Sequence, residues 1–200
     1  MPKRNPSLHG AVPEKCKTAL LLVDVINDFE FPGGGDLFSR ALPAARCLRR
    51  LKRRTKRAGI PVIYANDNFG RWQSDFRAQV DHCLNDGVRG EEVVKLLLPD
   101  EDDFFVLKPK HSGFFASSLG LLLGYLGVET LIIAGFAGDI CVLYTVNDAY
   151  MRDFHLIIPA DCIASETPEG NRHALAHMRR YLRARTPDSK RLRLPRKNRK

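Results

Sequence analysis

The feature that most constrains this chain is the alternation of short apolar runs with longer segments of helical period. Residues 18–25 form a nearly continuous Leu/Val run, the pattern of a strand buried on both faces and therefore of a parallel sheet covered by helices. A helix is expected over residues 42–58, where Ala44, Leu48, Leu51, Thr55 and Ala58 recur at spacings of three and four before Gly59 and Pro61 stop it. Residues 61–66, 104–107, 130–134 and 155–159 read as further strands. Residues 91–98, 115–126, 139–154 and 168–182 read as helices, the last with Pro168 in its first turn. Repetition of strand, helix, strand predicts an α/β fold, a three-layer doubly wound sheet, mainly parallel, with helices on both faces. Residues 70–90 are polar, irregular and long for a connection, and read as a lid or a short helix.

The chain of 200 residues is long enough to bury about 70% of its unfolded surface in one domain. We expect that domain at 18–182, after an N-terminal extension at 1–17 and before a basic, disordered tail at 183–200. The net charge of +9 is high, and it is unevenly spread. Arg46, Arg49, Arg50, Lys52, Arg53, Arg54, Lys56 and Arg57 place +8 on one helix; nine bases against Asp188 place another +8 on the tail, leaving −7 for the rest. A nucleic-acid-associated protein that uses this helix and tail to track phosphates is one reading. Neither segment interleaves aromatics for base stacking, which disfavours nucleic acid.

Other classes fall away. No apolar run approaches the ~20 residues of a membrane-spanning helix, so no membrane partner is expected. The opening MPKRNPSLHG is charged and proline-broken, unlike a secretory leader. Five cysteines with no CxxC pair argue against a disulfide framework or a thiolate zinc site, and fit a cytoplasmic protein.

In open α/β sheets, ligands bind beyond the carboxyl ends of the strands. Asp24 follows the first predicted strand, Asn66-Asp67-Asn68 the second, Lys108 the third and Gly135-Phe136-Ala137-Gly138-Asp139-Ile140-Cys141 the fourth. A carboxylate, an amine and a thiol thus meet at one edge. Taken singly, each is more ordinarily a cap, a solvated end or a small core residue; together they make a complete set for acyl transfer. The positive end of a helix and a neighbouring ammonium would stabilise the Cys141 thiolate. Asp24 can take the thiol proton and return it to a leaving amine, while Lys108 offsets the negative charges. No histidine lies near the cysteine in sequence, and the scheme needs none.

Over residues 18–178 these motifs resemble the isochorismatase-like cysteine hydrolases, which include nicotinamidases and N-carbamoylsarcosine amidase. The likeness rests on Asp24 with Asn27-Asp28-Phe29, on Lys108 with His111-Ser112-Gly113-Phe114, on Gly135 through Cys141-Val142 with Thr145, Asp148 and Ala149, and on 157–161. The resemblance implies a catalytic triad of Asp24, Lys108 and Cys141. It also implies a cis peptide between Phe136 and Ala137 that aims the Ala137 N–H beside that of Cys141 as an oxyanion hole. Assembly as a homo-oligomer, a dimer or tetramer, is implied as well.

Nicotinamidases carry an Asp and two His after the second strand to hold a metal. Here Asp67 is followed by Asn68, Phe69, Gly70 and Arg71, and His82 is remote in sequence, so neither metal nor other cofactor is expected. The retained cysteine points to a metal-independent hydrolase that cleaves a C–N bond of a small-molecule amide, ureido or imide substrate through a thioester. A vinyl-ether hydrolase of the isochorismate type is the alternative. Phe29, Asn66, Asn68, Trp72 and Phe115 are candidates for the substrate pocket, and His111 for a hydrogen bond within the Lys108 loop or, as the alternative, for substrate contact. The glycines at 33–35 lack a phosphate-binding spacing and, with Asp36, read as loop.

Overall fold

A computed structural model describes residues 15–70 and 75–195. Six parallel strands form one sheet: β1 (Thr18–Val23), β2 (Val62–Asp67), β3 (Phe104–Lys108), β4 (Thr130–Phe136), β5 (His155–Ile157) and β6 (Ile163–Ala164). Their order is β3-β2-β1-β4-β5, with β6 paired to the end of β4. The first crossovers step outward from β1 to β2 and β3, and the chain then returns to lay β4 on the other side of β1. This reversal opens a crevice between the carboxyl ends of β1 and β4.

The helices are α1 (Gly34–Arg57), α2 (Phe76–Asn85), α3 (Glu91–Leu96), α4 (Leu119–Leu126), α5 (Leu143–Tyr150) and α6 (Pro168–Tyr181). Successive residues of β1 serve opposite layers. Leu20 and Leu22 pack beneath α1, α2 and α3, while Ala19, Leu21 and Val23 pack beneath α4, α5 and α6. All six residues of β1 are buried, and each Leu or Val so placed contributes about 1.5–3 kcal/mol. The doubly wound α/β reading therefore holds. No helix among the described residues is long and apolar enough to cross a membrane.

Several boundaries differ from the sequence expectation, each for a local reason. Helix α1 begins at Gly34 rather than at residue 42, because Gly34 packs where a Cβ would lie 2.1 Å from the Phe29 carbonyl oxygen. Asp36 then occupies the first helical turn rather than a loop. Pro43 lies inside the helix on its exposed side, where water can satisfy the carbonyl left without a partner. The irregular stretch before α3 contains α2, whose N-cap Asp75 accepts from the Ala78 N–H at 2.7 Å. Helix α4 starts four residues later than expected, after a turn in which Ala116 has φ 46°.

The segment after α6 corrects the expectation of a disordered tail over residues 183–195; residues 196–200 lie outside the description. Arg185 pairs with Ile157 at the short edge strand β5, its N–H donating to Leu156 O at 3.0 Å. Ser189 donates from N and Oγ to Asp161, both at 2.7 Å. Arg54 of α1 donates to the carbonyls of Ser189 at 2.6 Å and Leu192 at 2.5 Å. Ala184 and Leu192 are buried. An edge strand of three residues needs a partner, and these few apolar side chains dock the chain despite its basic composition. Leu192→Ala is expected to cost about 2 kcal/mol in urea unfolding; a change within about 0.5 kcal/mol would mean a solvated tail.

The basic helix is also partly spent within the molecule. Lys52 pairs with Asp103 at 2.7 Å, Lys56 bonds Asp102 and Asp103, and Arg46 meets Glu92 at 3.1 Å. With Arg54 on the tail, half of the eight helix bases face internal partners rather than a phosphate chain.

Candidate active site

Asp24 ends β1 with φ 51°, and its N–H still donates to Ala65 O at 3.0 Å, which continues the ladder one residue past the strand. Lys108 closes β3 opposite Asp67 of β2. Its side chain is fully buried, yet the Nζ reaches Asp24 Oδ2 at 2.9 Å, Asp67 Oδ2 at 3.3 Å and Lys110 O at 3.2 Å. The other Asp24 oxygen accepts from the Asp67 N–H at 2.8 Å. A buried ammonium is tolerable only with such a full set of acceptors.

Cys141 arrives from the other side of the reversal. Gly135, at φ 141°, brings β4 so close to β1 that a Cβ would lie 2.0 Å from Val23 O. Ala137 then turns the chain with φ 51° and ψ 64°. Residues Gly138–Val142 form one π-helical turn, closed by Val142 N–H on Ala137 O at 3.2 Å, before α5 begins. Such turns recur at functional sites because they re-aim one side chain. Here the turn puts Cys141 Sγ 3.7 Å from Lys108 Nζ and in hydrogen-bond contact with Asp24.

A second set of bonds fixes the Lys108 loop to the cysteine turn. Thr145 Oγ1 accepts from the Gly113 N–H at 2.9 Å and donates to Cys141 O at 2.7 Å, while Ser112 Oγ donates to the Asp148 carboxylate. Ser112, Gly113, Thr145 and Asp148 thus hold the geometry rather than face a ligand.

The electrostatics follow from burial. Loss of water raises the Asp24 carboxyl above the ordinary carboxylate range, more than Lys108 pulls it down. Burial works against the Lys108 ammonium, but Asp24, Cys141 and Asp67 outweigh it and hold the proton on. Burial and then the Asp24 charge push the Cys141 thiol well above its usual value, and Lys108 offsets too little of this. Burial thus favours the neutral thiol over the thiolate that the sequence suggested.

Other expectations are corrected too. No cis peptide occurs among the described residues, so the bond from Phe136 to Ala137 is trans; the left-handed Ala137 and the extended-positive Gly135 make the turn. Phe29 is not a pocket wall but a core residue, edge-on to Phe38 at 5.6 Å. Asn66 is buried and donates to Ile26 O at 2.6 Å, supporting the loop after β1. Phe115 is 55% exposed. Trp72 lies outside the described residues. Of the described members of that group, only Asn68 lines the neighbouring cavity, a space of about 490 Å³ walled also by Asp28, Phe69, Gln79 and His82, which Asp24, Lys108 and Cys141 do not themselves line.

Two histidines come nearer the site than their places in the sequence suggest. His111 Nδ1 stands 3.7 Å from Cys141 Sγ, with its ring 5.5 Å from that of Tyr144. His82, remote in sequence, returns on α2 to the cavity wall and meets Asp86 at 2.6 Å and Asp28 at 3.3 Å; these carboxylates, Asp86 foremost, raise its pKa. The donors that follow β2 do not make a divalent-cation site of the Asp and two His kind. Asp67 is engaged by Lys108 and the Phe69 N–H, and Asn68 offers only an amide.

The sheet reversal thus brings a carboxylate, an ammonium and a thiol together at its crevice. The chain belongs to the isochorismatase family: the isochorismatase domain model matches residues 18–187. It is 42% identical over 168 residues to an uncharacterized isochorismatase family protein of Bacillus subtilis, covering 84% of this chain and 92% of that one. Ureidoacrylate amidohydrolase RutB of Methylobacterium radiotolerans is 27% identical over 194 residues, covering 84% of this chain and 75% of the relative. The crystal structure of N-carbamoylsarcosine amidase from Thermoplasma acidophilum superimposes with a TM-score of 0.69 at 26% identity, covering 90% of this chain and all of that one. The family is one of hydrolases, with amidohydrolases among its members.

Proposed function

We propose that the protein is a metal-independent cysteine hydrolase acting on the C–N bond of a small amide or ureido compound. The observation that carries this is the meeting of Cys141 Sγ, Lys108 Nζ and Asp24 at the sheet reversal, with 3.7 and 2.9 Å between the lysine and its two partners. Asp24 takes the thiol proton as sulfur attacks the substrate carbonyl carbon. The N–H of Cys141 is the proposed donor to the oxyanion. The protonated Asp24 then delivers its proton to the leaving nitrogen, the C–N bond breaks, and a thioester remains on Cys141. Asp24, again a carboxylate, draws a proton from water, hydroxyl adds to the thioester, and the acid leaves as the thiol regains its proton. Lys108 balances the negative charge on Asp24 and on the sulfur throughout.

An N–H-bearing substrate is supported by the cavity wall. Gln79 Nε2 donates to Asp67 O at 2.8 Å, which fixes the amide's orientation, while the buried Gln79 Oε1 has no hydrogen-bond partner among the described residues. A ureido or amide N–H is the complement such an acceptor lacks. Gln79→Met, close in volume, is expected to raise KM about tenfold with kcat little changed, the mark of lost ground-state binding.

The proposal is tested by assaying ammonia release from a panel of amides and ureas, with mass spectrometry of Cys141 for an acyl adduct on slow substrates. Ammonia together with an adduct on Cys141 supports it. Pyruvate from a vinyl ether, with no ammonia from any C–N substrate, would overturn it in favour of isochorismate-type chemistry.

A further inference from the structure

A second cavity, of about 640 Å³, lies at the opposite end of the sheet, around Thr18 of β1, Thr130 of β4 and His155 of β5. Seven residues of β4 at ~3.3 Å each separate it from the Cys141 crevice by roughly 20 Å. Its size is that of a small-molecule site, and its wall combines two chemistries. Ile132, Leu156 and Leu182 give it an apolar floor. Arg183, Arg185 and Arg193 bring three guanidinium groups to its rim.

These arginines are unlike those of α1. None of the three has an ion pair or a side-chain hydrogen bond among the described residues. Asp153 is the sole carboxylate among the described residues of the wall, where it stands against three arginines.

The backbone holds two of them in place. Arg183 leaves α6 at φ 53°, and Ala184 N–H donates to Met178 O at 3.1 Å. Arg185 is clamped to β5, donating to Leu156 O at 3.0 Å and accepting from Ile158 N–H at 2.8 Å. The buried Ala184 packs against the core, while Arg183 and Arg185 on either side of it line the cavity. Like charges fixed around a partly apolar space repel one another, and an anion between them removes that cost. Guanidinium groups further favour the planar, bidentate oxygens of carboxylate and phosphate.

We propose that this cavity is a second ligand site, distinct from the hydrolase crevice, that takes a small molecule with an oxyanion head on an apolar body. The head meets Arg183, Arg185 and Arg193, and the body lies on Ile132, Leu156 and Leu182.

Isothermal titration of the full chain at low salt tests this, with phenyl phosphate, benzoate and inorganic phosphate as probes. At least one organic probe is expected to bind one per chain, with affinity that falls as salt rises. Inorganic phosphate, which has no apolar body, is expected to bind about tenfold or more weakly. Arg183→Gln/Arg193→Gln should weaken the organic probe by at least about tenfold, and Gln79→Met, at the other cavity, should leave it unchanged. The single Arg193→Gln, which lies outside the β5 bridge, keeps the test readable if the double variant does not fold. Failure of both organic probes to bind at millimolar concentration, affinity indifferent to the arginines, or loss of binding on Gln79→Met would each overturn the site. None of these outcomes bears on ammonia release at Cys141.

Discussion

Cys141→Ala is expected to lower turnover by about 10⁴-fold or more while leaving the fold intact, since removal of a nucleophile from a cooperating set leaves only binding and electrostatic effects. In the proposed mechanism the acyl bond forms on sulfur, and alanine replaces it with a small side chain suited to the same buried turn. Cys141→Ser tests the point more closely. A hydroxyl holds its proton more tightly than a thiol, so the burial that already pushes the thiol up weighs still more against the serine. The same burial fixes the pH dependence. Asp24 must be ionised to act as base, and its carboxyl titrates above the ordinary range. Wild-type kcat/KM is therefore expected to rise with pH along an acid limb displaced upward from the 3.8 of an unperturbed aspartate. An acid limb at that ordinary value, or ammonia release retained in Cys141→Ala, would contradict the assigned roles.

Why Asp24, Lys108 and Cys141 could be found from sequence, while much of their setting could not, comes down to the range of the interactions involved. Asp24 and Lys108 end apolar runs and Cys141 follows another within five residues, and in a parallel sheet all such termini reach the same edge. The period-2 and period-3.6 patterns that set the strands thus also located the chemistry. His111 and His82 approach the site through loop and helix geometry with no period to read. The π-helical turn at Gly138–Val142 leaves no mark in a string of apolar residues. Phe29 followed Asn27 and Asp28 into the motif, but φ 58° turns its ring into the core. The net charge misled in a similar way. Half of the basic helix and the first part of the tail are bound to carboxylates and carbonyls that only the folded chain brings near.

Lys108→Met is expected to cost about 3–5 kcal/mol near pH 8, the range for a buried ion pair that loses one member, together with about 10³-fold in turnover. Methionine nearly matches the stem, so the loss comes from charge rather than volume. In the wild type, the Lys108 proton is held more tightly in the folded than in the unfolded state. Its stabilising contribution is therefore full below the ordinary lysine value of 10.5 and fades only as pH rises through the raised one. In the variant, Asp24 keeps its burial and loses the cation that most lowers its pKa. Its folded pKa climbs further, and between the unfolded value of 3.8 and that raised value the folded chain binds a proton the unfolded chain does not. Stability should consequently fall with rising pH across this window, by up to about 1.4 kcal/mol per unit for one proton, so the variant is expected to be closer to wild type near pH 5 than near pH 8. Asp24→Asn added to Lys108→Met removes the stranded charge; the double variant should recover much of the loss at high pH and lose the slope, without regaining activity. Urea unfolding of the three proteins across this pH range decides it. A penalty independent of pH, or one unrelieved by Asp24→Asn, would mean that Lys108 stabilises the edge through packing rather than by holding the Asp24 charge.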